Sequence, residues 1–164
     1  MKNILYFIVF LTTIFYNIPH SAKEVAIFAD SIDQDSNGNI VAKGNVKIID
    51  EEEFLTSSII IINQDQNKII LPSEFQYKDN LDNYTYGSSG EFSTNFENGI
   101  VNDVKILLSD GSRIVGKVGY KTGKQDLISK GVFSPCSSKI NIKNFVCPIW
   151  QLEGEKILHD GNKL

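Results

Sequence analysis

The chain is poor in the residues that carry chemistry. Its 164 residues include two histidines, two cysteines, one tryptophan and one methionine. His20 falls in the N-terminal region, and His159 stands beside Asp160 near the end. Neighbours on a strand point to opposite faces, so His159-Asp160 is no ready dyad, and no nucleophile stands beside it. No catalytic residue is therefore expected, and the chain is not expected to be an enzyme. Two cysteines and one histidine give no zinc spacing. The stretch Asp33-Gln34-Asp35-Ser36-Asn37-Gly38-Asn39 has Gly44 where a calcium loop needs its glutamate, so it reads as a turn. No metal and no cofactor is expected. Asp110-Gly111-Ser112 and Lys121-Thr122-Gly123-Lys124 lead into no helix and read as hairpin turns rather than phosphate loops. Positive charge is also scarce: 16 basic residues against 20 acidic ones, a net charge of −4. That excludes the basic stripe a nucleic-acid partner requires and any simple attraction to an anionic membrane.

One long apolar run exists. Ile4 to Tyr16, broken only by Thr12 and Thr13, follows Lys2 and has the length of a signal h-region. It is short for a transmembrane helix. Residues 1–22 are expected to be a signal peptide cleaved after Ala22. An uncleaved anchor is the alternative, because His20 suits the −3 position poorly. The expected destination is the periplasm of a bacterium. In an exported chain, Cys136 and Cys147 are disulfide candidates. A local staple, bonds to another segment or chain, and free thiols all remain open.

From residue 23 to 134 the chain is patterned as short strands. Ile40, Ala42, Gly44, Val46 and Ile48 alternate with polar or outward residues. So do Ile69, Leu71, Phe75 and Tyr77; then Ile100, Val104, Ile106 and Leu108; then Ile114, Gly116, Val118 and Tyr120. The run Ile59-Ile60-Ile61-Ile62 has no alternation and predicts a strand covered on both faces. Pro72 predicts an edge or a bulge. No helical period persists for ten residues after the N-terminal region.

The pattern repeats four times. Small or polar pairs stand at Ala29-Asp30, Ser57-Ser58, Ser88-Ser89 and Gly116-Lys117. Each is followed by a polar turn, then by Ile40, Ile69, Ile100 or Leu127, and four residues later by Gly44, Ser73, Val104 or Gly131. A repeat of this length is one supersecondary unit stacked on copies of itself. The fold class is all-β: stacked antiparallel strands forming a jelly roll or short β-solenoid. Residues 135–164 break the pattern, with Pro135 and Pro148 around the cysteines and a strand expected over Trp150–Ile157.

Phe28-Ala29-Asp30-Ser31-Ile32 followed by Val41-Ala42-Lys43-Gly44-Asn45-Val46-Lys47-Ile48 resembles the first repeat of OstA-like domains. Leu108-Ser109-Asp110-Gly111-Ser112-Arg113-Ile114, Phe133-Ser134-Pro135-Cys136, Trp150-Gln151 and Ile157-Leu158-His159-Asp160 are similar to the N-terminal periplasmic domain of the LptD family of outer-membrane proteins. The resemblance covers residues 27–160. It implies an OstA-like jelly roll acting in lipopolysaccharide export. Such a domain would accept lipopolysaccharide from a periplasmic bridge protein by strand augmentation and pass it toward the outer-membrane translocon. It implies further that Cys136 matches the family cysteine bonded to the barrel, and that the chain associates with the outer membrane. Ser57-Ser58 in place of Ala-Asp in the second repeat departs from the pattern. The four residues after Asp160 hold no barrel, so the chain would be a split-gene fragment, a truncated product, or a free periplasmic domain acting with a separately encoded β-barrel.

On that reading Ile40, Ala42, Val46, Ile48, Ile69, Leu71, Phe75, Ile100, Val104, Ile106, Ile114 and Val118 face inward and line a lipid groove. The alternatives are a closed structural or adhesive β-solenoid, whose side chains only pack on one another, and a truncated fragment without present function.

Overall fold

The computed structural model describes residues 25–135 and 150–161. The signal-peptide expectation and both cysteines lie outside them. The described chain is all-β, with every pairing antiparallel. Its strands are β1 (Val25–Phe28), β2 (Ser31–Gln34), β3 (Ile40–Asp50), β4 (Glu53–Asn63), β5 (Lys68–Leu71), β6 (Phe75–Lys78) and β7 (Tyr84–Gly87). They continue as β8 (Ser89–Ser93), β9 (Asn98–Asn102), β10 (Lys105–Leu107), β11 (Arg113–Val115), β12 (Val118–Thr122), β13 (Gln125–Ser134) and β14 (Leu152–Asp160).

The strands form two layers joined along one side. In the first layer the order is β1, β3, β4, β6, β7, β10, β11, β13, β14. In the second it is β2, β3, β4, β5, β8, β9, β12, β13, β14. The long strands β3, β4, β13 and β14 belong to both. Residues 40–43 of β3 pair with β2, whereas residues 47–50 pair with β1.

The joining side is a seam of corners, and the four-fold repeat is its sequence trace. The first member of each repeated pair stands 15 or 16 positions before the residue four places past the aliphatic, and these positions meet in space. Asn45 Nδ2 donates to Asp30 Oδ2 (3.0 Å). Ser58 and Ser73 share a hydroxyl bond of 2.9 Å, and Ser57 and Ser73 one of 3.1 Å. Ser88 Oγ donates to Asp103 Oδ2 (2.8 Å), which also pairs through its other oxygen with Lys117 Nζ at 2.9 Å.

Backbone conformation turns each corner. Gly44 (φ +73°) and Asn45 (φ +47°) form a bulge between Lys43 and Val46. Bulges of this kind bend a strand sharply. A Cβ on Gly44 would stand 2.2 Å from Asp30 Oδ2, so that site requires glycine for space as well as for φ. Asp103 (φ +48°) and Lys130 (φ +47°) turn later corners.

Three sequence expectations change here. Pro72 is not within a strand; it sits at the seam between β5 and β6, where its missing N–H costs no ladder bond. The Ile59–Ile62 run is not covered on both faces. Ile60 and Ile62 are buried in the core, while Ile59 and Ile61 lie half-buried on the outer face. The C-terminal strand spans Leu152–Asp160 rather than Trp150–Ile157.

Between the layers lies one apolar core. Along the first layer Ile27, Ile48, Leu55, Tyr77, Thr85, Ile106, Ile114, Phe133 and Leu152 stand opposite one another in unbroken succession. All are apolar except Thr85 and the Tyr77 hydroxyl. Each fully buried aliphatic side chain in such a row contributes roughly 1.5–3 kcal/mol.

Candidate functional site: the interior and its mouth

Of the twelve residues expected to line a groove, Ala42, Val46, Ile48, Ile69, Leu71, Phe75, Val104, Ile106 and Ile114 are buried between the layers. Ile40 is half-buried and packs against the same core. Ile100 and Val118 do not face inward. Ile100 is 46% exposed, and Gly99 and Val101 take the inward positions of β9. Val118 lies half-buried on the outer face, with Gly119 inward beside Val104. The cause is the seam. At Asp103 and at Gly116-Lys117 the chain shifts alternation by one residue, and a one-residue shift exchanges the faces.

Phe75 was among the expected groove residues, whereas Tyr77, Phe92 and Phe96, which pack beside it, were not. Phe75 and Phe92 meet edge-to-face with centroids 5.7 Å apart. Phe92 lies 5.4 Å from Tyr77, and Tyr77 stacks on Phe96 at 5.3 Å with 27° between the planes. Phe92 was legible as alternation within Gly90–Ser93; Phe96 stands in a polar turn, where no period marks it. The interior is filled. The void bordered by Tyr77, Phe92, Val104 and Ile106 measures about 20 Å³, room for about one water molecule.

Opposite the seam the layers part, and a cleft of about 500 Å³ opens between their rims. The first layer supplies Asp50, Glu53, Asp79 and the turn Glu51-Glu52. The second supplies Phe96, Glu97, Lys121, Asp126 and His159. Lys121 Nζ lies 5.9 Å from the centre of the Tyr77 ring, and His159 Nδ1 is 3.3 Å from Asp126 Oδ2. Burial pushes the Glu53 carboxyl above its ordinary range, against the Tyr77 hydroxyl that donates to it and the Lys121 ammonium nearby. Burial, followed by the negative charges of Glu53 and Asp79, pushes the Tyr77 phenol up as well. The rim is thus polar and acidic, with an apolar interior directly behind it.

The candidate calcium loop is a self-satisfied turn. Asp35 accepts from the Asn37 and Asn39 amides at 2.8 and 2.9 Å and from Asn39 Nδ2 at 2.8 Å. These bonds hold its carboxyl below the ordinary range. Asp79 and Asn83 repeat the arrangement in the first layer. Among the described residues no group of three or more His, Cys, Asp or Glu is placed to hold a metal ion. No described helix is long and apolar enough to cross a membrane, which leaves β-barrels unaddressed.

The ends of the body are where the interior meets solvent. Among the described residues, β1 and β2 each pair with β3 alone, and β14 pairs with β13 alone. The inner face continues onto these edges: Ile32 on β2 is 53% exposed and Leu152 on β14 is 59% exposed.

No family model matches the sequence, and no curated protein matches it. Among solved structures the chain is similar to LptH from Pseudomonas aeruginosa, described as the LptA-homologous periplasmic component of the lipopolysaccharide transport device. The two are 18% identical over 60% of this chain and 75% of that one, with a TM-score of 0.53. At this identity the likeness concerns the fold: a β-jelly roll of stacked antiparallel strands, the all-β class expected from the repeats.

Proposed function

We propose that this chain is a periplasmic lipid-transfer module of lipopolysaccharide export. It accepts lipopolysaccharide from a bridge protein and passes it toward the outer-membrane translocon, with acyl chains held between the two layers. The observation that carries this reading is the inner row, which crosses nine strands, is apolar except at Thr85 and the Tyr77 hydroxyl, and reaches the edge strands at both ends. Each acyl methylene taken from water into such a row contributes roughly 0.8 kcal/mol, so no specific polar contact is needed to hold the chain. The edge strands β1, β2 and β14 suit strand augmentation by a bridge protein at one end and an outer-membrane β-barrel at the other. The motifs from Phe133 to Asp160 favour the barrel-proximal position, that of an LptD-type N-terminal domain. The likeness to LptH supports the transport class without distinguishing the two positions.

The filled interior favours a second reading, a closed structural stack whose residues only pack. Photo-crosslinking in cells separates the two. A photoreactive residue at Ile106, which is 4% exposed and inward, is expected to give a lipopolysaccharide adduct. One at its exposed neighbour Lys105 is expected to give none. Absence of an adduct at both positions in a folded, exported protein would establish the closed stack.

A further inference from the structure

The second layer's outer turns are four copies of one device, and one copy is built from the wrong kind of residue. Gly38 (φ +81°), Asn67 (φ +52°), Phe96 (φ +55°) and Gly123 (φ +58°) hold the left-handed conformation at the tips of successive hairpins. In three of them the amide of that residue donates to the carbonyl three positions earlier: Gly38 to Asp35, Asn67 to Gln64 and Phe96 to Ser93. Glycine and asparagine tolerate this conformation, and a bulky ring does not. Gly38, Asn67 and Gly123 point to solvent, whereas Phe96 is 2% exposed. Its ring crosses the gap and stacks on Tyr77 of the first layer at the mouth.

The turn is held in this strained form by its own polar side chains. Asn95 Oδ1 accepts from the Ser93 hydroxyl at 2.6 Å and from the Glu97 amide at 3.3 Å. The Gly123 amide donates to the Glu97 carbonyl at 2.6 Å and ties the tip to the neighbouring hairpin. A strained residue persists where its surroundings over-determine it, and such strain marks elements with two states.

We infer that Phe96 is a displaceable stopper that closes the open side of the jelly roll and leaves its seat on Tyr77 when an acyl chain enters. The inference rests on the lipid-transfer reading and adds its gate. The void beside Tyr77, Phe92, Val104 and Ile106 has no room for a chain, and among the described residues Phe96 is a core side chain carried by an exposed outer turn, whereas Val104, the other core residue outside a strand, sits at the seam. Swinging it outward empties the space next to the mouth while every strand pairing stays in place.

The test uses the mature chain and lipopolysaccharide bearing a fluorescent acyl label. Phe96→Asn keeps a turn that accepts the conformation, as Asn67 does, and removes the ring. Its association rate is expected to rise at least tenfold over wild type in stopped flow. Phe96→Leu, which keeps apolar bulk, is expected to fall between them. An unchanged rate, with both proteins binding, would overturn the stopper and leave lipid transfer standing. Failure of wild type and both variants to bind would overturn lipid transfer itself, and the stopper with it. Hydrogen exchange on wild type needs no variant. Adding lipopolysaccharide is expected to speed exchange in residues 93–98, and unchanged or slower exchange there would overturn the stopper.

Discussion

At the scale of the residue, the corners decide the fold. An exposed left-handed conformation costs an ordinary residue roughly 1–2 kcal/mol, and a buried clash adds to it. Gly44 combines both demands, since its φ is +73° and Asp30 fills the space a side chain would need. Gly123 has φ +58° and nothing within 4 Å of the place a Cβ would occupy. Gly44→Ala is therefore expected to lose about 2–4 kcal/mol and Gly123→Ala about 1 kcal/mol. Thermal melts of the two variants side by side check the difference. Equal losses would mean that φ alone, and not the seat of Asp30, governs the corner. This demand was partly legible: Gly44-Asn45 stands at a repeated position. The same signal was silent at Asp103 and Lys130, which take the left-handed conformation without being glycine. Ile100 and Val118 were misplaced because their corners shift the alternation and nothing in the letters says so.

Among the elements, β14 is held differently from the rest. It pairs with β13 along its length, from Gln125 opposite Asp160 to Phe133 opposite Leu152. Most of its side chains are exposed. Ile157 is the β14 side chain that packs against the core, over Gly131, where a Cβ would approach Ile157 Cδ1 to 2.7 Å. His159 adds its contact with Asp126 at the rim. Ile157→Ala is expected to weaken this attachment by roughly 1–2 kcal/mol, a local effect more than a global one. Hydrogen exchange should then accelerate in residues 152–160 while β4 and β9 keep their protection. Uniform acceleration across the body would show that β14 is integral to one cooperative unit. The sequence located this strand within two residues at its start and three at its end; the turn signal Asp160-Gly161 marks the true end, beyond the Ile157 that was expected to close it. The four-unit repeat, by contrast, was readable in full. Its two hallmarks, small residues and polar turns, are the two things a corner and a hairpin require.

For the molecule as a whole, the charge is placed where the layers part. Asp50, Glu53 and Asp79 of the first layer face Glu97 and Asp126 of the second across the cleft, with Lys121 and Lys124 as the positive groups and the His159 ring against Asp126. Glu53 titrates above its ordinary range because burial disfavours its charge. A carboxyl raised in the folded state binds its proton more tightly there than in the unfolded chain. The contribution of Glu53 to stability is therefore greatest below the ordinary value of 4.5 and is lost as pH rises through the raised one. Glu53→Gln is expected to melt higher than wild type at pH 7 and together with it at pH 4. A difference that persists at pH 4 would assign the effect to packing rather than charge. Neither the cleft nor its rim was legible beforehand, because the carboxylates come from five separate turns and strands and converge only once both layers exist.

The inner row has one more property. Strands in a sheet are spaced by about 4.8 Å, so the nine residues from Ile27 to Leu152 extend over roughly 40 Å of nearly uniform surface. On the lipid-transfer reading, a greasy tail that advances by one strand exchanges one largely apolar neighbour for another, with Thr85 and the Tyr77 hydroxyl as the polar points. Its free energy along such a track varies little and has no overall slope. Motion on it is diffusive, and direction then has to be imposed at the two termini, by a donor that keeps one end crowded and an acceptor that keeps the other end clear.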